Sequence, residues 1–402
     1  MDRTARLLVT GRALRGFVDG SVAVLLPAYL LALGHSSLAV GLIGSLTLLG
    51  SALATVAVGT WGHRAQARSL LLAAALSMAA TGLGFASLSS LVPLAIVAFL
   101  GTLNPGAGDV SVFLPLEHAE LAGRAQGSAD RTWLFARYSL AGSLSAAAGA
   151  LCVGVPGWLA PRAGWQEVDA LRAVFGLYAL LGLILWIVYR RLPQPDRAAG
   201  SAPLQAPSKA SLGRSRPIVV KLAALFAVDS FAGGLVVNSL LSLWLMQRFD
   251  LGLAATGVFF FCAGLLSAAS QLAAPWLARR IGLLNTMVFT HIPANLCLLA
   301  AALAPSLPAA LALLLVRALL SQMDVPTRTA YVMSVVTPAE RAAAASFTSV
   351  PRSLASAASP ALAGALFSAG WLATPLLLCG ALKIAYDLVL WRACRLQALR
   401  DD

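Results

Sequence analysis

Apolar residues run along this chain in long blocks, interrupted by short polar segments. A helix rises ~1.5 Å per residue, so about 20 apolar residues cross ~30 Å of hydrocarbon. Twelve such blocks are predicted. The first six lie at about 14–34, 38–60, 69–88, 92–120, 131–156 and 170–190. The other six lie at about 218–247, 253–276, 281–303, 308–336, 342–368 and 371–393. The alternating strands of an outer-membrane barrel, each ~10 residues long, do not occur in the pattern. The fold class that follows is an all-α integral membrane protein with twelve transmembrane helices.

The blocks repeat. Asp109 and Arg137 stand 28 residues apart, as do Asp324 and Arg352, and the second pair follows the first by 215 residues. The same offset relates Trp61 to Trp276, Arg64 to Arg279, Pro93 to Pro308, and Gly149-Ala150-Leu151 to Gly364-Ala365-Leu366. A fixed offset over many positions signals an internal duplication. The predicted units are residues 1–191 and 218–402, each with six helices in the same orientation. Between them, the Pro-, Ala- and Ser-rich stretch 192–217 reads as a cytoplasmic linker.

Composition agrees with a membrane chain: 59% hydrophobic residues, 11% charged and a mean hydropathy of +0.82. A net charge of +13 would suggest nucleic acid in a soluble protein. Here the basic residues concentrate at the N-terminus, in the linker and in alternate loops. The opposite loops hold only Arg162, Arg172 and Arg248. That asymmetry places both termini in the cytoplasm of a multi-pass inner-membrane protein. The basic start MDRTARLLVTGRALR leads into a block long enough to span, so it reads as a retained first helix. Five scattered cysteines lack metal or redox spacing and read as small buried hydrophobes.

Loop sequences carry a resemblance. The segment after the second block begins at Gly59 and runs Thr-Trp-Gly-His63-Arg64-Ala-Gln-Ala-Arg68. It is similar to the signature G-x-x-x-D-[RK]-x-G-[RK]-[RK] of the major facilitator superfamily. Its repeat after the eighth block carries Arg279 and Arg280, and Thr337-Pro338-Ala339-Glu340-Arg341 resembles the family's turn after the tenth. With two parallel six-helix units and a long inner linker, the chain resembles that family over nearly its whole length. The resemblance implies two pseudo-symmetric bundles rocking about a midplane substrate site. The signature Asp is His63 in one half and Ala278 in the other, so the family's inner charge relay lacks its Asp in both. The glycine-proline motif of antiporters is met only loosely, by Gly149, Gly154, Pro156 and Gly157.

Charges inside the apolar blocks are the candidate machinery. The midpoints of the two Asp–Arg pairs, Gly123 and Pro338, fall in turns between antiparallel helices, so each pair is predicted at equal depth. About 10–12 helical residues per arm give ~15–18 Å, near the middle of the membrane. Asp109 with Arg137 and Asp324 with Arg352 are therefore expected to pair and to rearrange during a transport cycle; a fixed bridge between helices is the alternative. Arg328, one turn after Asp324, competes for that carboxylate. Asp19, also a coupling candidate, lies one turn from Arg15 and is expected to pair with it. Asp229 has no basic residue three or four positions away and is the first choice for a proton-carrying group. Asn104, Asn238, His291, Asn295, Arg317 and Gln322 are expected to line a cavity, and Lys383 is expected to pair with Asp387. Asn104-Pro105-Gly106 is expected to bend the fourth helix.

No zinc, nucleotide-loop or nucleophile-elbow motif occurs, so no enzymatic activity, metal or cofactor is expected. The sequence predicts a monomeric secondary transporter of a small molecule, with proton-coupled efflux as the preferred version. Its partners are the bilayer and the proton, with no nucleic acid. Import of a metabolite, anionic if the arginines face it, is the alternative. In the spans Arg137, Arg317, Arg328, Arg352 and Lys383 meet Asp19, Asp109, Asp229, Asp324 and Asp387, leaving the substrate's sign open. A membrane sensor is the reading of a different class, and it lacks a sizeable soluble output domain.

Overall fold

The computed structural model describes residues 2–61, 65–106, 111–122, 128–193, 213, 215–337 and 340–401. Those residues form α-helices with one short 3-10 turn, Cys152–Gly154. Helix occurs in each of the predicted blocks, three of them interrupted, and nine helical runs among the described residues are long and apolar enough to cross a membrane.

Seven blocks form a single helix each: α1 (Arg3–Ala32), α2 (Ser37–Trp61), α3 (Ala67–Ser87), α8 (Glu167–Arg190), α11 (Leu253–Ile281), α12 (Leu283–Ala302) and α16 (Thr374–Asp401). α15 (Arg341–Ser368) is also continuous but richer in serine. The fifth block continues from α6 (Ser128–Leu151) through the 3-10 turn into α7 (Val155–Ala163). α1 starts earlier than predicted, so Arg12 and Arg15 are buried within the bundle and not spread along an inner tail.

The other three blocks are each broken in two. The fourth gives α4 (Leu91–Leu100) and α5 (Phe113–Ala122), the seventh α9 (Arg216–Gly234) and α10 (Asn238–Phe249), the tenth α13 (Leu307–Ser321) and α14 (Asp324–Val335). Pro105 explains the first break, because it has no N–H to offer a continuing helix. The Asn104 Oδ1 accepts the Gly106 N–H at 3.2 Å in place of a helical bond. After α9 the chain tightens into short turns, with Leu235 and Val236 N–H donating to Ala232 and Gly233 carbonyls at 3.2 Å. The two breaks meet, since the Ser239 N–H donates to the Pro105 carbonyl at 3.1 Å. Broken backbone of this kind is tolerated at membrane depth where it lies against protein or lines a cavity.

Two bundles result, α1–α8 and α9–α16, each with its own helix pairs: α1 on α6 and α3 on α8, α9 on α15 and α12 on α16. Between the bundles the packing is concentrated where the start of α2 crosses the last turns of α15 and where α11 meets the end of α6, a side chain on Gly257 there lying 2.5 Å from the Ala150 carbonyl. A side chain on Gly41 would collide with the Pro360 carbonyl and lie 2.9 Å from the Gly364 Cα, and one on Gly364 would lie 2.7 Å from the Ser37 carbonyl. Only glycine permits backbones this close. The Leu38 N–H donates to Ser368 Oγ and the Ala361 N–H to Ser45 Oγ, at 2.8 and 2.9 Å, along the same seam. A further bond, Ser242 Oγ to the Val24 carbonyl at 2.9 Å, ties α10 to α1. Large apolar side chains such as Val92, Leu100, Leu83 and Leu272 stand exposed on the outer surface, as expected for faces that meet lipid.

Candidate functional site

Away from the seam the bundles diverge around a cavity of about 1010 Å³. Its wall runs from Val24 and Leu241 near the seam to His118 and Ala345 toward the other end, and both bundles contribute. α15 presents Ser346, Ser349, Ser353 and Ser356 at helical spacing, with Arg352 in the same wall. α11 contributes Phe259 and Phe260, whose rings meet edge to face at 5.1 Å.

The charged centre of this wall is built by four residues on three helices. Asp229 of α9 accepts from Lys383 Nζ of α16 at 2.6 Å and lies 3.0 Å from Arg328 Nη2 of α14. Arg328 also pairs with Asp324 one turn earlier on α14. All four groups are buried and all four line the cavity. Two carboxylates thus share two cations in a low-dielectric wall, an arrangement in which removal of one member leaves a costly orphan. The guanidinium of Arg328 lies 5.4 Å from the Phe226 ring centroid, adding an aromatic face to its surroundings.

Several expectations are corrected here. Lys383 and Asp387 do not pair with each other: Lys383 takes Asp229, and Asp387 takes His291 Nδ1 at 2.9 Å. Asp229 is isolated along its own helix but not in space. Asp324 bonds Arg328 instead of Arg352, and Arg352 Nε donates to Ser230 Oγ at 3.2 Å. Arg15 pairs with Glu117 instead of Asp19, at 2.7 Å. The buried Asp19 is left with an Oδ1 lacking a hydrogen bond among the described residues.

Asp109 lies outside the described residues, so its pairing with Arg137 does too. Arg137 is largely exposed and lays its guanidinium 3.1 Å from the Trp133 ring centroid. Asn104, Asn238, His291, Arg317 and Gln322 all line the cavity, Asn238 and Gln322 at helix breaks. Asn295 is not in the wall; it is buried and donates to the His291 carbonyl at 2.9 Å.

Of the loop signature, His63 and Arg64 lie outside the described residues. Gly59 is exposed, and Arg68 Nη2 donates to the Arg190 carbonyl at 2.7 Å, closing the end of α8. On the repeat, Arg279 is exposed and Arg280 stacks on Trp276 at 4.7 Å. Cys152 is exposed and Cys262 and Cys297 half-buried, so Cys379 is the described cysteine that meets the expectation of burial.

Glu117 was not singled out by the sequence. It is fully buried on α5 and accepts from Arg15, from Tyr189 Oη at 2.5 Å and from Tyr138 Oη. A glutamate inside the apolar run Phe113-Leu-Pro-Leu-Glu117 was the available signal. This cluster ties α1, α5, α6 and α8 together behind the cavity wall.

Comparison with known proteins agrees with this architecture. Residues 8–323 match the profile of the Major Facilitator Superfamily. An uncharacterised membrane protein of Saccharomyces cerevisiae is 24% identical over 97% of this chain and 93% of its own length. Among solved structures, the nucleoside transporter NupG superposes with a TM-score of 0.72 at 17% identity, covering 97% of this chain and 98% of that one. A bacterial homologue of the iron transporter ferroportin, in an inward-facing state, gives 0.70 at 17% identity over 97% and 98%. A D-xylose–proton symporter gives 0.70 at 15% identity over 96% of each chain.

Proposed function

The chain belongs to the major facilitator superfamily, and from that premise we propose a secondary active transporter that exports a small organic molecule by alternating access, driven by protons. The moving units are residues 1–191 and 218–402, joined by the segment 192–217. The protein works as a monomer in the inner membrane with both termini in the cytoplasm. In that orientation the α2–α15 seam closes the outer end and the cavity is loaded from inside.

The observation that carries the reading is the Asp229 centre. A carboxylate in the cavity wall, held by Lys383 and Arg328, links three helices through charge alone. A proton on Asp229 cancels its hold on both cations, and Arg328 then keeps only Asp324. His291 with Asp387 and Arg352 with Ser230 flank the centre and set its local field. Loss of these two attractions among α9, α14 and α16 is a change of about a few kcal/mol in low dielectric, enough to shift a two-state equilibrium many-fold.

The test is flux in vesicles of both orientations, with an imposed pH gradient and a panel of organic compounds. At least one compound should move against its gradient when protons flow the opposite way, and Asp229→Asn should abolish that dependence. Flux of every compound indifferent to the gradient would remove proton coupling, and no flux above empty vesicles would remove the transport reading.

A further inference from the structure

We infer that the cavity takes organic anions, whose carboxylate or phosphate group meets the positive charge that Arg317 and Arg352 lend the wall and whose apolar body lies against Phe259 and Phe260. The inference rests on the transport reading and names its substrate class. The sequence alone balances five bases against five acids in the spans. The structure unbalances them: Asp19, Asp387 and Arg137 are not in the wall, which leaves four of those bases with two described acids. Among the described residues the acids lining the cavity are Asp229 and Asp324, and both are engaged by Lys383 and Arg328. That four-membered centre is neutral as a unit.

Arg12 of α1 also lines the wall, 5.7 Å from the Tyr138 ring centroid, and Arg317 and Arg352 are left over. Neither forms an ion pair among the described residues, the Arg317 Nε is buried without a hydrogen-bond partner, and Arg352 spends its Nε on the neutral Ser230. By sequence, Asp109 is the one acid between α4 and α5, a single negative charge against two. Uncompensated guanidinium in a membrane interior is costly, so a cavity that keeps two of them is built for a ligand that supplies the counter-charge. Guanidinium presents a planar fork that matches carboxylate and phosphate oxygens. Ser349 and Ser353 of α15 line the wall with Arg352 and add hydroxyl groups to it. The volume of about 1010 Å³ lies at the upper end for small-molecule sites, so the anion has room for a sizeable organic body.

The experiment uses four probes of one shape: 1-naphthoate, 1-naphthyl phosphate, 1-naphthalenemethanol and 1-naphthylmethylammonium. Binding to the detergent-purified full chain is read from the shift in its unfolding temperature. The two anions should raise that temperature and the alcohol and ammonium should not; the stronger anion distinguishes carboxylate from phosphate. Arg317→Gln and Arg352→Gln should each weaken anion binding about tenfold or more. Arg→Lys at either position keeps the charge and should recover part of the loss, separating a binding defect from misfolding. Arg162→Gln, on α7 outside the wall, should bind as the parent does. Equal or tighter binding of the ammonium, no shift with either anion, or unchanged anion binding in the double Gln variant would each overturn the inference. If an ammonium or neutral compound binds and is also carried in the flux assay, the anion assignment falls and the transport reading stands.

Discussion

Asp229 and Glu117 are both buried carboxylates with cationic partners, yet they sit in different places. Asp229 lines the cavity between bundles, whereas Glu117 lies inside one bundle among Arg15, Tyr138 and Tyr189. Glu117→Gln is therefore expected to lower stability by about 3–5 kcal/mol, the cost of orphaning Arg15, and to leave any proton dependence of flux in place. Asp229→Asn should do the reverse to the pH response. Adding Lys383→Met to Asp229→Asn should regain stability without regaining coupling; thermal unfolding and flux measured side by side check both. These partners were hidden from the sequence for one physical reason. Helical spacing tells which residues share a face, as Lys383 and Asp387 or Arg15 and Asp19 do, but not which helix packs on that face. In each case the charge from another helix won the contact, because burial leaves no water to compete with it.

At the scale of elements, composition made the twelve blocks legible, and Pro105 made one break legible. The breaks after Gly234 and Ser321 had no proline at the break itself and were missed; Pro326 lies inside the first turn of α14, where its missing N–H is harmless. The seam between α2 and α15 depends on the absence of side chains. Gly41→Val is expected to cost about 1–3 kcal/mol of overpacking at that contact and to favour the form in which this end is open. Raised reactivity of a thiol placed at Ser45 would report it. A second contact lies at the turn between α14 and α15, outside the spans. Glu340 accepts the N–H of Gly213 at 2.5 Å and of Ser215 at 3.2 Å, and Thr337 Oγ1 at 3.0 Å. Hydrogen bonds from Ser215 and Gly213 hold its carboxyl below the ordinary glutamate value. A lowered folded pKa means that this tether is fully present above the usual carboxyl range and is lost as pH falls through the depressed value. Amide protection at Gly213 and Ser215, referred to the unfolded chain at each pH, should fall only in acid, and Glu340→Gln should flatten the profile.

For the whole molecule, the duplication read from the 215-residue offset corresponds to two bundles that share a seam at one end and a cavity toward the other. The sequence carried that plan because each half must bury the same kind of face. It did not carry the sign of the cavity, which depends on which acids are drawn out of the wall: Asp387 by His291, and Asp19 into the interior of its own bundle. On the proposed mechanism the bundles rock about this seam under control of Asp229. Distances between paired spin labels, measured in lipid vesicles on a chain freed of its native cysteines, address it most directly. One pair at Leu38 and Trp371 reports the seam end, and one at Trp61 and Phe347 reports the other; all four side chains are exposed. Between acidic and alkaline buffer the two distances should change in opposite directions, one lengthening as the other shortens, and Asp229→Asn should hold them at one ratio. Distances that stay fixed at both ends, or that lengthen together, would rule out this motion.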